Sequence, residues 1–213
     1  KAKEVGASSK FSATEVAEAM GYMGMAGWKT GEMLAGTTGI INLAAASNTD
    51  LARTSDIVTD ALTAFGKSAG DSGEFANVMA AASANANTNV EMMGETFKYV
   101  GSVAGAMKYS IQDVALATGL MANSSIKGGE AGTALRSIMT RMAKPTKESA
   151  TAMKALGMSL TDGNGKMKSF KTVITDLRKG MQGMTEDQKA SYAAMLGGQE
   201  AMAGVLAIAN ASE

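Results

Sequence analysis

Residues 124–143, SSIKGGEAGTALRSIMTRMA, decide how this chain folds. Ala131, Ala134, Leu135, Ile138, Met139 and Met142 recur at i, i+3, i+4, i+7, i+8 and i+11, which lays them along one buried face of an α-helix. Thr133, Arg136, Ser137, Thr140 and Arg141 fall on the opposite side. Gly128 and Gly129 lead into this helix, and the small Ala131-Gly132-Thr133-Ala134 start lets it approach a neighbouring backbone closely. Pro145 marks its stop. The expectation is a packing centre whose structural signature is Gly128, Gly129, Ala131, Gly132, Leu135, Ile138, Met139 and Met142. Its role is packing and not chemistry: Lys127 precedes the glycines, so the G-x-x-x-x-G-K-[ST] order of a phosphate-binding loop is absent.

Working outward, the same period governs most of the chain. Ser12 and Glu15 have the spacing of a capping box ahead of Val16, Ala19, Met20 and Met23. The glycines at 21, 24, 27 and 31 around Trp28 predict a break or a tight crossing. Residues 30–46 resume helically on Met33, Thr37, Ile40, Ile41 and Ala44. The polar cluster 47–50 then caps a helix carrying Ile57, Val58, Ala61, Leu62 and Phe65 inward to Gly66. Asp71 with Glu74 predicts a helix start on Phe75, Val78, Met79 and Ala82, broken by Asn85, Asn87 and Asn89.

The next part reads like the first again. Thr88 with Glu91 repeats the Ser12/Glu15 spacing, Glu95-x-x-x-Tyr99-Val100-Gly101 echoes Glu18-x-x-x-Tyr22-Met23-Gly24, and Thr118-Gly119 echoes Thr38-Gly39. The offset is 77 residues at the tyrosines and 80 at the glycines, which places an extra three residues in the loop between Gly105 and Ser110. Residues 51–65 then correspond to 128–142. Two copies are too few for a solenoid and suit two related units packed into one core.

After Pro145 a helix runs to Leu156 and closes at Gly157. Residues 158–168, MSLTDGNGKMK, read as a small β-hairpin around Asp-Gly-Asn-Gly. As a calcium loop the segment fails, because Lys166 occupies a ligand position and the distal Glu is missing. Ser169 starts a helix on Phe170, Val173, Ile174 and Leu177 that Gly180 is expected to end, and Thr185 with Gln188 caps the next. The final segment, residues 199–212, is apolar on nearly every side and reads as deeply buried or as a partner-binding helix.

Composition narrows the chemistry. The apolar fraction of 46% suffices for a core, while one Pro, 18 Met and few aromatic residues favour helix over sheet. With no His and no Cys, histidine-based triads, thiol nucleophiles and zinc or iron–sulfur sites are excluded. No catalytic, cofactor-binding or metal residue is assigned. The neutral whole hides an asymmetry: residues 11–135 carry twelve acidic and six basic side chains, residues 136–189 five acidic and eleven basic. This reversal suits solvated helix faces, head-to-tail association or an acidic partner. The basic part lacks interleaved aromatics, so no specific nucleic-acid site is read. The chain begins without Met and reads as an excised segment; no signal-peptide pattern is read at its first residues, and no apolar run is long enough to predict a spanning helix. The methionines read as core filling ahead of an adaptable surface.

The expected fold is all-α: a multi-helix globular bundle over 1–213, with pseudo-repeated units at 11–86 and 87–145 and C-terminal helices at 146–213 carrying a hairpin near 158–168. The ordered set Lys127-Gly128-Gly129-Glu130-Ala131-Gly132-Thr133-Ala134-Leu135-Arg136, Pro145-Thr146, Ala155-Leu156-Gly157, Asp162-Gly163-Asn164-Gly165-Lys166-Met167 and Leu196-Gly197-Gly198-x-x-Ala201-Met202 resembles the core domain of phage tail tape measure proteins. The resemblance covers nearly the whole chain. It implies a virion structural protein, not an enzyme, that sets tail length during assembly and leaves ahead of DNA on ejection. It also implies contacts with other copies of itself and with tail tube, tail tip and tail assembly proteins. The implied location is the tail tube lumen or tail end, after the host cytoplasm during assembly. The alternative is a membrane-interacting or channel-forming module, with the host membrane as partner and residues 40–46 and 201–209 as its contacts. A cell-wall-cleaving role lacks a paired-carboxylate motif.

Overall fold

The computed structural model describes residues 1–211, so Ser212, the last residue of the apolar C-terminal segment, lies outside the described residues. These residues form α1 (Ala2–Ser8), α2 (Ala13–Met25), α3 (Thr30–Ser47), α4 (Leu51–Ala64), α5 (Ser72–Asn85) and α6 (Val90–Ala106). The chain continues as α7 (Ile111–Asn123), α8 (Gly128–Ala143), α9 (Lys147–Ala155), α10 (Phe170–Met181), α11 (Glu186–Gly197) and α12 (Met202–Asn210). A single 3-10 turn, Ala69–Asp71, precedes α5.

Consecutive helices alternate between two layers. In one, α2 packs on α4, α4 on α6, α6 on α8 and α8 on α11; in the other, α3 packs on α5, α5 on α7, α7 on α12 and α12 on α10. From α2 to α8 each helix therefore rests chiefly on the helix two places along, and the layers share one apolar core. The reason lies in the sequence pattern. An amphipathic helix buries one stripe, while Ile40, Leu62, Phe75, Met93, Phe97 and Leu135 converge from both layers onto the shared interior. Phe97 on α6 sits at its middle, 5.8 Å from both Phe65 and Phe75, the latter ring edge-on.

Local start signals act largely as their chemistry dictates. The Ser12 hydroxyl accepts the Glu15 N–H and the Glu15 carboxylate accepts the Ser12 N–H at 2.7 Å. These bonds hold the Glu15 carboxyl below its ordinary value. Asp50, Ser110, Thr146, Ser169 and Thr185 cap α4, α7, α9, α10 and α11 through their side chains.

Five expectations are corrected. No β-hairpin forms at 158–168: Thr161 and Met167 make one isolated antiparallel bridge, and no strand forms beside it. The Asp162 carboxylate instead accepts the N–H groups of Asn164 and Lys166, each at 2.9 Å, closing a compact turn that competes with a ladder. Thr88 and Glu91 do not form a capping box, because α6 starts one residue later with Asn89 accepting the Met92 N–H. Asp71 likewise serves the 3-10 turn: its carboxylate accepts the N–H and hydroxyl of Ser68. Gly180 does not end α10 but lies inside it, where a Cβ would stand 2.5 Å from the Leu156 carbonyl oxygen. The extra residues assigned to the 105–110 loop lengthen α6 instead, since the links α2–α3 and α6–α7 each hold four residues.

Candidate functional site

Helix α8 makes its most extensive contact with α6, and the seam is built at its first turns. Gly128 adopts φ 58, a left-handed conformation that costs a residue with a Cβ energy and lets the backbone turn into the helix. Thr96 on α6 then donates its hydroxyl to the Gly128 carbonyl at 2.9 Å. Gly129 lies beneath the Tyr99 ring, with 3.1 Å from a notional Cβ to the nearest ring atom. At Gly132 a Cβ would fall 2.6 Å from the Thr96 carbonyl oxygen and 2.7 Å from the Tyr99 Cβ, so only hydrogen fits between the helices. Ala131, Gly132, Leu135, Ile138, Met139 and Met142 are all buried along the same face.

Farther along, the Ser137 hydroxyl donates to the Gly197 carbonyl at 3.1 Å, and the Arg141 guanidinium lies against Gly198. The seam thus joins α8 to the C-terminal helices as well. Thr96 and Tyr99 are the residues that the helical period alone does not single out, because their importance comes from what crosses them. A hydroxyl-to-carbonyl bond also joins α2 and α4, where the Ser55 hydroxyl donates to the Ala19 carbonyl at 2.8 Å.

A second constellation is polar. Between α4 and α6 a cleft of about 220 Å3 is lined by Arg53, Asp56, Asp60, Glu95 and Lys98. Arg53 bonds Asp56 at 2.9 Å and also pairs with Glu95 across the helices. Burial, and then the charge of Asp56, push the Asp60 carboxyl above its ordinary value. The geometry of this set is that of an interhelical ion-pair network: Arg53 engages two of its three carboxylates. Among the described residues no group of metal-ligating side chains is assembled.

Asp113 is a positioning group that sequence reading misses. Its Oδ2 accepts the Ser110 N–H at 3.2 Å, capping α7, and its Oδ1 accepts the Lys171 N–H at 2.9 Å, tying the first turn of α10 to the bundle. The two segments named for membrane contact are spent on the core: Ile40, Ile41, Leu43 and Ala44, and Val205, Ala207 and Ile208, are buried. No described helix is long and apolar enough to cross a membrane.

Against known proteins, residues 1–198 match a family model described as phage-related minor tail protein. The chain is similar to a protein named tape measure protein from Pneumococcus phage Dp-1, at 37% identity over 208 residues, covering 98% of this chain and 18% of that protein. It is also similar to a protein named probable tape measure protein from Escherichia phage P2, at 23% identity over 202 residues, covering 94% of this chain and 25% of that protein. The chain spans a quarter or less of the length of these two relatives. No solved structure matches it.

Proposed function

Because this chain belongs to the phage-related minor tail protein family, we propose that it is a structural, non-catalytic module of a tape measure protein in a phage tail. The observation that carries this reading is the match over 98% of the chain to a protein named tape measure protein. In this role the longer protein sets tail length during assembly and leaves ahead of DNA, and the present module supplies a folded unit that contacts other copies and tail tube, tip and assembly proteins. The seam of Gly128, Gly129 and Gly132 against Thr96 and Tyr99 supports a role in holding that unit together. Two units related by a shift of 77 residues underlie it. The α2–α4 crossing at Ser55 and Ala19 and the α6–α8 crossing at Gly132 and Thr96 occupy matching positions under that shift.

The test is made in a phage whose tail protein contains this chain. Mass spectrometry of purified tails is expected to find its peptides, and Gly132→Leu is expected to reduce the number of complete tails seen by negative-stain microscopy. Tails that lack these peptides overturn the reading. Release of peptidoglycan fragments from cell walls by the purified chain would overturn its non-catalytic part.

A further inference from the structure

The turn at 162–166 places together groups that no helix of the bundle does. Asn164 is followed by Gly165, whereas the other eight asparagines are each followed by a residue that carries a Cβ. Residues 162–166 are all exposed, Gly165 stands at φ 78, and nothing lies within 4 Å of where a Cβ would stand on it. The approach to the Gly165 nitrogen is therefore open. Its N–H donates to the Asp162 carbonyl at 3.1 Å, an exposed turn bond of the kind that opens locally while the rest of the fold stays intact.

Elsewhere the neighbouring groups are held. Asn42 and Asn77 lie inside α3 and α5, where the next N–H belongs to a helical ladder, and the Asn89 and Asn123 side chains accept the Met92 and Asn87 N–H groups. Asp162-Gly163, the one Asp-Gly pair of the chain, is held differently. Its Oδ1 accepts the Asn164 and Lys166 N–H groups, each at 2.9 Å, and these bonds keep the carboxyl below its ordinary value. An ionised carboxylate resists attack by a nitrogen because it has no leaving group, whereas an amide releases ammonia.

We propose that Asn164 is a site of spontaneous deamidation that opens the 158–168 turn. The Gly165 nitrogen loses its proton to hydroxide and attacks the side-chain carbonyl carbon of Asn164. The bond from that carbon to the amide nitrogen breaks, ammonia leaves with a proton from water, and a succinimide ring joins residues 164 and 165. Water then adds to one of the two ring carbonyls and opens it, giving either aspartate or isoaspartate, in which the main chain runs through the former side chain. The isoaspartyl product adds a carbon to the backbone between 162 and 166, where the Asp162 N–H meets the Lys166 carbonyl and the Lys166 N–H meets the Asp162 carboxylate. Either product sets a second carboxylate beside that of Asp162, and like charges repel. The bonds that close the turn are lost, and with them the bridge between Thr161 and Met167.

Ageing the purified chain in mildly alkaline buffer and digesting it with trypsin tests the site, since cleavage after Lys154 and Lys166 releases residues 155–166, whose one asparagine is Asn164. That peptide is expected to gain the mass difference between an amide and an acid, faster at higher pH, while peptides holding the other asparagines stay unchanged. Protein isoaspartate methyltransferase with a labelled methyl donor is expected to mark the same peptide. Asn164→Gln, which keeps Asp162, should lose both the mass gain and the label. Asp162→Ala should speed conversion several-fold, because it frees the Asn164 N–H and removes a negative charge that opposes ionisation of the Gly165 N–H. In the folded chain, amide exchange at Lys166 is expected to be slow before conversion and fast after it, with the helical amides unchanged. Conversion of another asparagine ahead of Asn164, or a label that persists in Asn164→Gln, overturns the site. A Lys166 amide as protected in the converted chain as in the fresh one overturns the opening of the turn.

Discussion

At the scale of single residues, the helix seam is decided by one missing methyl group. Gly132→Ala gains about 1 kcal/mol in helix propensity. It also forces a Cβ to 2.6 Å from the Thr96 carbonyl oxygen, and overpacking of this kind costs up to about 3 kcal/mol. The steric term wins because the obstacle is largely backbone, so Gly132→Ala should lower the melting temperature and Gly132→Leu should lower it much further. Arg141→Ala, at a half-buried position, is expected to cost only about 0.5 kcal/mol. Equal melting temperatures for Gly132→Leu and Arg141→Ala would remove the seam from its central place. Tyr109 offers a second residue-level test. Its hydroxyl is buried without a hydrogen-bond partner among the described residues, and its ring packs 5.1 Å from Phe170. Burial, followed by the charge of Asp113, pushes the phenol from 10.0 up to about 12. The folded state therefore prefers the neutral ring. That stability is complete below pH 10 and is lost as pH rises through about 12. The difference in phenolate absorbance between wild type and Tyr109→Phe should show this group titrating near pH 12, and Tyr109→Phe should resist alkaline unfolding better.

At the scale of elements, starts and joints carry information that periodicity does not. Asp113 caps α7 and also holds the first turn of α10, so removing its carboxylate frees N–H groups on two helices at once. Asp113→Ala is expected to cost about 2 kcal/mol in chemical denaturation, and amide exchange at Lys171 should lose its protection. Asp113→Asn, which keeps one acceptor oxygen, should fall between. The 158–168 segment makes the complementary point. Alternating apolar residues and an Asn-Gly pair satisfy the sequence signs of a hairpin. An isolated two-stranded ribbon is marginal, however, and the Asn164 and Lys166 N–H groups turn to the Asp162 carboxylate, leaving two backbone bonds, Asp162 to Lys166 and Lys168 to Leu160, to join the two arms. Capping at α6 shifted by one residue for a similar reason: Thr88 and Asn89 are both competent caps, and the Asn89 side chain is the one that reaches the Met92 N–H.

At the scale of the whole molecule, the alternation of helices between two layers ties distant parts of the chain into one core. Phe97 on α6 touches both Phe65, which ends α4, and Phe75 on α5, so the first and second halves share their largest side chains. The seam of α8 with α11 and the Arg178 Nε bond to the Ile208 carbonyl at 2.9 Å extend that core to the C-terminal helices. A chain connected in this way should unfold in urea in one cooperative transition with coincident fluorescence and circular dichroism signals. Two separated transitions would show that the 146–213 helices form a unit of their own.

The sequence by itself determined the helical class, the buried face of α8 and most helix starts, because these depend on spacing and on side chains that reach only three residues along the chain. The Arg53 network between α4 and α6, the Asp113 joint and the fit of Gly132 onto Thr96 were decided by the tertiary structure. Each depends on which helix lies opposite, and that is set by long-range packing of one apolar stripe against another, which no local period encodes.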